Sequence, residues 1–168
     1  MDTRTLIRAA ALAGLLATAT VPALAQKRLT ACDVLDEPLA VAILGAAIEE
    51  RSPPPPVEQA GKAFTSWCYF GASNSNVRAQ LLEFPNASVA TGTVQQLVSR
   101  KGGPAYAPEK GLGQEAWWWS MADEKARGFV LRKGARILVI DVRSAASVGE
   151  KQAKEFLRPR MKALAARI

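Results

Sequence analysis

The chain contains no histidine, and that absence removes most common hydrolase schemes. Neither a Ser-His-Asp nor a Cys-His pair can be built, an HExxH zinc site is impossible, and there is no imidazole to switch near neutral pH. Two cysteines are too few for a four-cysteine zinc site or an iron-sulfur cluster, and Cys32 and Cys68 lie too far apart for a CxxC redox pair. Metal chemistry would fall on carboxylates alone, so no metal and no cofactor are expected. Long apolar runs are also lacking. The longest, residues 9–21, has about 13 residues against the ~20 a membrane-spanning helix needs, and the stretch 129–142 is broken by Arg132, Lys133, Arg136 and Asp141. No transmembrane segment is expected.

The short apolar run has a different meaning. Arg4 and Arg8 precede it, and Ala23-Leu24-Ala25 follows as a small-x-small cleavage site, so residues 1–25 read as a secretory signal and residues 26–168 as one exported domain, periplasmic or extracellular. A rival processing route exists, because Leu29-Thr30-Ala31-Cys32 matches a lipoprotein box that would make Cys32 an acylated N-terminus. Lipidation would leave Cys68 as an odd thiol. In an oxidising compartment the two cysteines pair most naturally with each other, and with no histidine to activate a thiolate the bridge is structural.

Charge is uneven along the chain. Residues 26–99 hold 5 basic and 7 acidic groups, whereas residues 100–168 hold 15 basic and 7 acidic. A basic field of this kind favours an anionic envelope surface, a wall polymer or an acidic protein as partner. Nothing points to nucleic acid, because zinc-finger spacing, an RNP-like aromatic motif and a dense Lys/Arg tract are all missing.

Local patterns predict an α+β domain. Val34, Leu35, Leu39, Ala42 and Ile43 recur at helical spacing, with Asp36 and Pro38 resetting a turn and Gly45 placed to cap. Pro53, Pro54, Pro55 and Pro56 form a stiff connector. Residues 64–70 and 77–84 read as a hairpin, and Val94, Leu97 and Val98 mark a second helix running toward Gly102 and Gly103. Residues 104–110 read as a loop carrying an exposed Tyr106. Three strands follow at 116–121, 126–133 and 135–142, with Asp123 and Glu124 in a turn. Ser147 and Glu150 form a capping box for a last helix, in which Ala153, Phe156, Leu157, Met161 and Leu164 make an apolar stripe and Pro159 should kink the backbone near Glu155. The predicted order is α-β-β-α-β-β-β-α, a mostly antiparallel sheet with packed helices. No internal repeat and no second domain are visible.

Two surfaces are candidates for binding. Trp117, Trp118 and Trp119 stand in one strand, where neighbours alternate faces, so helices must cover both faces or one face becomes an aromatic platform for a sugar ring, a lipid or a peptide. Trp67, Tyr69 and Phe70 extend that aromatic character. Lys151, Lys154, Arg158 and Lys162 return to one face of the last helix and offer a stripe for anionic surfaces. Asp141, between Ile140 and Val142, is expected to alternate outward and pair with Arg132 or Arg143. No two carboxylates are held at a working separation for catalysis.

Several of these elements together resemble a known arrangement: Cys32 near a first helix ending at Gly45, Trp67-Cys68-Tyr69 in a first strand, Gly111-Leu112-Gly113-Gln114-Glu115-Ala116-Trp117 leading into a central strand, and residues 128–142. The chain resembles a family of exported bacterial domains of unknown function, often lipoproteins, over most of residues 31–168, and their sheets are similar to the PsbP-like fold. That resemblance implies a binding or assembly accessory role and carries over no functional residues. The sequence-based reading is therefore a non-catalytic envelope binding protein. Its alternatives are a small secreted carboxylate-dependent enzyme, and an inhibitor of a secreted hydrolase that inserts a loop near residues 53–56 or Tyr106. Intact mass of the exported protein should place the mature N-terminus at Gln26, and a diacylglyceryl group on Cys32 would overturn cleavage after Ala25 in favour of the lipoprotein route.

Overall fold

A computed structural model describes residues 28–52, 57–58, 63–121, 125–144 and 150–168. Its elements run α1 (Ala31–Val34), α2 (Glu37–Leu44), β1 (Glu50–Arg51), β2 (Val57–Glu58), β3 (Phe64–Ala72), β4 (Ser75–Glu83), α3 (Ala87–Val98), β5 (Ala105–Glu109), β6 (Glu115–Ser120), β7 (Ala126–Lys133), β8 (Arg136–Ser144) and α4 (Glu150–Arg167). The expected α+β order is present, with additions at three strands. Residues 1–27, the four prolines, Asp123, Glu124 and Ser147 lie outside the described residues, so neither the signal, the proline connector nor the Ser147 cap is described.

All strand pairs are antiparallel and form one sheet in the order β1-β3-β4-β8-β7-β6-β5, with β2 also pairing along the outer edge of β3. Residues 105–109, expected as a loop, are the edge strand β5, in which Tyr106 is opposite Trp119 and Pro108 opposite Trp117. Pairing to β6 overrides a weak local signal here, and Pro108 is tolerated because an edge strand has donors to spare. Helix α3 stops at Val98, before Gly102, with Ser99 as its cap.

Alternation along these strands divides the side chains between two faces. One face carries Phe70, Cys68, Val77, Ala79, Leu81, Ile140, Leu138, Phe129, Leu131 and Trp118, buried under α1, α2 and α4. The Trp118 ring meets Phe129 edge-on at 5.0 Å. The other face carries Trp119, Ala126, Val130 and Ile137, which meet Ala90 and Val94 of α3. The motif ahead of β6 has a packing explanation. Leu112 is buried in the larger core, and Gly113 turns the chain at φ 67°, where an added Cβ would sit 2.8 Å from the Arg132 carbonyl oxygen. Gln114 closes this corner by accepting from Arg132 Nη1 and the Gly134 amide, both at 2.9 Å.

Helix α1 is too short to hold itself together, since a four-residue helix has hardly passed nucleation. A capping box between Thr30 and Asp33 closes its first turn. The Ala31 amide donates to the buried Ser66 hydroxyl at 2.8 Å, and Cys32 is disulfide-bonded to Cys68 in β3. Helix α2 starts at the Asp36 cap and ends at Gly45, as expected. Helix α4 runs through Pro159 to Arg167. Arg160 Nε donates to the Ala42 carbonyl at 2.7 Å and Arg167 Nη1 to the Val34 carbonyl at 2.8 Å, tying α4 to the other two helices of its layer. Closing a loop of 36 positions gives the disulfide an upper value of roughly 4 kcal/mol in the chain-entropy treatment. Reduction is expected to lower the thermal midpoint, read by circular dichroism with and without reductant, and non-reducing peptide mapping should recover Cys32 and Cys68 in one linked fragment.

Candidate functional site

Helix coverage is unequal on the two faces. Seven strands at about 4.8 Å spacing make a sheet about 29 Å wide, and among the described residues one helix about 10 Å across covers only part of its second face. Helix α3 sits on β7 and β8. On the same face, β3, β4 and the far end of β8 present Tyr69, Trp67, Arg78, Gln80, Asn76, Asp141 and Arg143, which the register aligns in rows: Tyr69–Arg78–Asp141, then Gly128 and Trp119, and alongside it Trp67–Gln80–Val139. A cavity of about 300 Å³ lies on this face, lined by Trp67, Arg78, Gln80, Val139, Asp141 and Trp119 from the strands, Thr93 and Leu97 from α3, and Pro104 and Tyr106 beyond it. Two shallower clefts continue from it past Tyr69 and Arg78, one toward Glu50 and Ser52, the other toward Asn76 and Arg143.

Asp141 is 7% exposed, one of the few buried charged residues. Arg78 Nη2 donates to its Oδ2 at 3.4 Å, and Arg143 Nε lies 3.6 Å from Oδ1, beyond hydrogen-bond reach, so Oδ1 accepts no hydrogen bond. Oδ1 is itself buried and faces the Arg143 guanidinium, so both carboxylate oxygens are charge-paired within the protein. The Arg78 guanidinium stands 4.9 Å from the Trp67 ring centroid, a cation–π contact that holds it over the groove. At the other end, burial raises the Tyr106 phenol above its ordinary pKa, opposed in part by the Arg100 charge, so the hydroxyl remains a proton donor across the physiological range.

The tryptophan strand resolves by alternation. Trp118 belongs to the core, Trp119 lines the groove at 7% exposure, and Trp117 is half-buried beside the α3 layer. The Trp119 indole N–H reaches the Ile140 carbonyl at 3.2 Å, and it crosses Gly128 to do so. Tyr106 is half-buried in β5 rather than exposed on a loop.

The basic helix face is on the opposite side of the sheet, and its charges are partly engaged. Lys154 and Arg158 both bind Glu109 of β5, Arg158 Nη1 at 2.6 Å, with the carboxylate 6% exposed. Arg158 Nη2 also donates to the Lys110 carbonyl at 2.7 Å. These two cations anchor the edge strand to α4. Lys151 and Lys162 are exposed, whereas Lys154 and Arg158 are half-buried. Phe156, expected in the apolar stripe, is 42% exposed with the Arg160 guanidinium 3.7 Å above its ring, because its position on the helix turns past the buried arc of Ala153, Leu157, Met161 and Leu164. Asp141 pairs with Arg143, one of its two expected partners, while Arg132 pairs with Glu115 at 2.6 Å.

The sequence points to Trp119 and Tyr106, and to Trp67 as an extension of the aromatic surface, but gives no site role to Arg78, Gln80 or Asp141. A signal was available: on one parity, β3, β4 and the end of β8 are aromatic or polar while β7 is aliphatic, which marks where helix cover stops. Among the described residues no three His, Cys, Asp or Glu side chains converge to hold a metal ion, and no helix is long and apolar enough to cross a membrane. Neither a protein-family model nor a curated protein matches this chain. Gly128 carries a direct test of the groove's architecture, since an added Cβ would fall 1.8 Å from the Ile140 carbonyl oxygen and 3.0 Å from the Trp119 indole nitrogen. Gly128→Ala is expected to destabilise the fold by about 3 kcal/mol or more and to shift tryptophan emission, measured by denaturant melts followed by fluorescence.

Proposed function

We propose that this chain is an exported envelope protein with a binding or accessory role, and that its contact surface is the groove beside α3. The reading rests on one observation above the others: a concave sheet face that combines aromatic rings with the half-exposed Arg78 guanidinium, itself paired with the buried Asp141 carboxylate. Pockets of about 300–1,000 Å³ lined by rings and a few convergent polar groups are the usual form of small-ligand sites. The disulfide between Cys32 and Cys68 fits an oxidising compartment. A role without catalysis is supported by the neighbours of Asp141, which are two guanidinium groups rather than a second carboxylate or a base. The resemblance in Trp67-Cys68-Tyr69 and the Gly111-Leu112-Gly113 corner to exported domains of unknown function, and to the PsbP-like fold, points the same way.

Two sets of substitutions separate the groove from the basic helix. Lys151→Gln with Lys162→Gln removes exposed charge and should leave both fold and binding unchanged. Adding Lys154→Gln and Arg158→Gln strips the Glu109 carboxylate of its cations and is expected to lower stability by about 3 kcal/mol, the cost of leaving a buried charge unpaired. Trp67→Ala should instead abolish binding of envelope-derived glycans or small molecules with little change in the melt. Backbone amide shifts during titration check this, and shifts that cluster on α4 around Lys151 and Lys162 would refute the groove assignment.

A further inference from the structure

The charges around the groove are balanced within the protein, and on the reading just given that balance narrows the ligand. Arg78 and Arg143 face Asp141 at 3.4 and 3.6 Å, Glu50 lines the adjoining cleft with Arg78, and these formal charges cancel. Arg78 also lies over the Trp67 ring at 4.9 Å and covers that face of the indole. The other end of the cavity is apolar, walled by Leu82, Ile137, Val139 and Trp119 from the sheet, Leu97 of α3, and Pro104. A charged group brought there would lose water without meeting an opposite charge. Arg100, whose field reaches Tyr106, is exposed after the end of α3 and outside the lining, where salt screens it.

Polar groups at the apolar end are mostly engaged. Thr93 Oγ1 donates to the Val89 carbonyl at 2.9 Å, and the Trp119 indole N–H to the Ile140 carbonyl at 3.2 Å. The Tyr106 hydroxyl makes no hydrogen bond among the described residues, and burial keeps it protonated as a donor. A volume of about 300 Å³ is at the small end of ligand pockets, so the molecule is compact. Apolar contact through Ala90 and Val94 holds α3, whose Thr91, Thr93 and Ser99 hydroxyls bond back to its own carbonyls, so this wall can yield to a ligand.

We infer that the groove binds a compact, uncharged, largely apolar molecule carrying one hydrogen-bond acceptor. Its apolar body lies between Leu97 of α3 and Trp119 of β6, and its acceptor takes the hydrogen bond of the Tyr106 hydroxyl.

The test uses the mature protein and four naphthalene derivatives of matched size. Acetylnaphthalene is neutral with an acceptor, isopropylnaphthalene is neutral without one, naphthoate is anionic and naphthylmethylammonium cationic. Backbone amide and indole N–H shifts report binding at the groove. Acetylnaphthalene is expected to bind most tightly, by about fivefold over isopropylnaphthalene, the gain of one net hydrogen bond, and by about tenfold or more over either ion. Tyr106→Phe should erase the acceptor's advantage while keeping the affinity for isopropylnaphthalene. Thr93→Phe fills the cavity from the α3 side and should weaken both neutral probes. An unchanged thermal midpoint would confirm that each variant folds. If either ion binds as tightly as acetylnaphthalene, or Tyr106→Phe leaves the acceptor's advantage intact, the neutral-ligand assignment is wrong while the groove remains a binding site. Undiminished binding by Thr93→Phe would place the probes outside the cavity and overturn the assignment as well. Groove signals that respond to another envelope ligand but to none of the four probes likewise overturn the ligand class and keep the groove. If no probe and no envelope ligand moves the signals of Trp67, Tyr106 and Trp119, both the ligand class and the groove reading fall.

Discussion

Burial of one sheet face under α1, α2 and α4 is the constraint on which the remaining structure depends. None of the three helices is self-sufficient: α1 has four residues, α2 eight, and α4 carries a proline. Each is held through the sheet. Ser66 and Cys68 of β3 hold α1, the Val34 and Ala42 carbonyls of α1 and α2 accept the arginines of α4, and Glu109 of β5 accepts the cations on the other flank of α4. The helices thus form a single layer whose two ends are tied to opposite edges of the sheet. Most of the large fully buried side chains, Trp118, Phe70, Phe129 and Met161 among them, lie in that layer's core.

Because stability is concentrated on that face, the second face is freer to carry polar chemistry. Among the described residues its one helix covers β7 and β8 and leaves β3 and β4 open. Polar residues on the open half would disrupt a core but are tolerated beside solvent, which is where Arg78, Gln80 and Arg143 stand. Asp141 is the exception. It is buried at the boundary between the covered and open halves, and its two arginine neighbours offset part of the desolvation it suffers there. A boundary of this kind, with an apolar wall on one side and water on the other, is where a ligand can exchange solvent for protein contacts at least cost.

The positive charge of the C-terminal half serves two purposes once positions are known. Lys154, Arg158, Arg160 and Arg167 are structural, reaching carboxylates or backbone carbonyls across the helical layer. Arg143 belongs to the groove, and Arg78, from the acidic N-terminal half, joins it there through the pairing of β4 with β8. Net charge by segment therefore misses Arg78, since a groove collects residues by strand register rather than by sequence interval.

Local patterning by itself determined the α+β order, the pairing of Cys32 with Cys68, the Asp36 and Gly45 boundaries of α2 and the division of Trp117, Trp118 and Trp119 between two faces. These follow from short-range rules of alternation, capping and cysteine chemistry, which need no knowledge of neighbours distant in the chain. The tertiary structure alone decided that residues 105–109 are a strand, that Lys154 and Arg158 clamp Glu109, that Phe156 faces outward, and that Trp67, Arg78 and Asp141 share a groove with Tyr106 and Trp119. Each of those outcomes depends on which strand lies beside which and on how far α3 extends across the sheet. Sequence spacing carries no record of either, because strands separated by dozens of residues become neighbours only when the sheet closes in the order β3-β4-β8-β7-β6-β5.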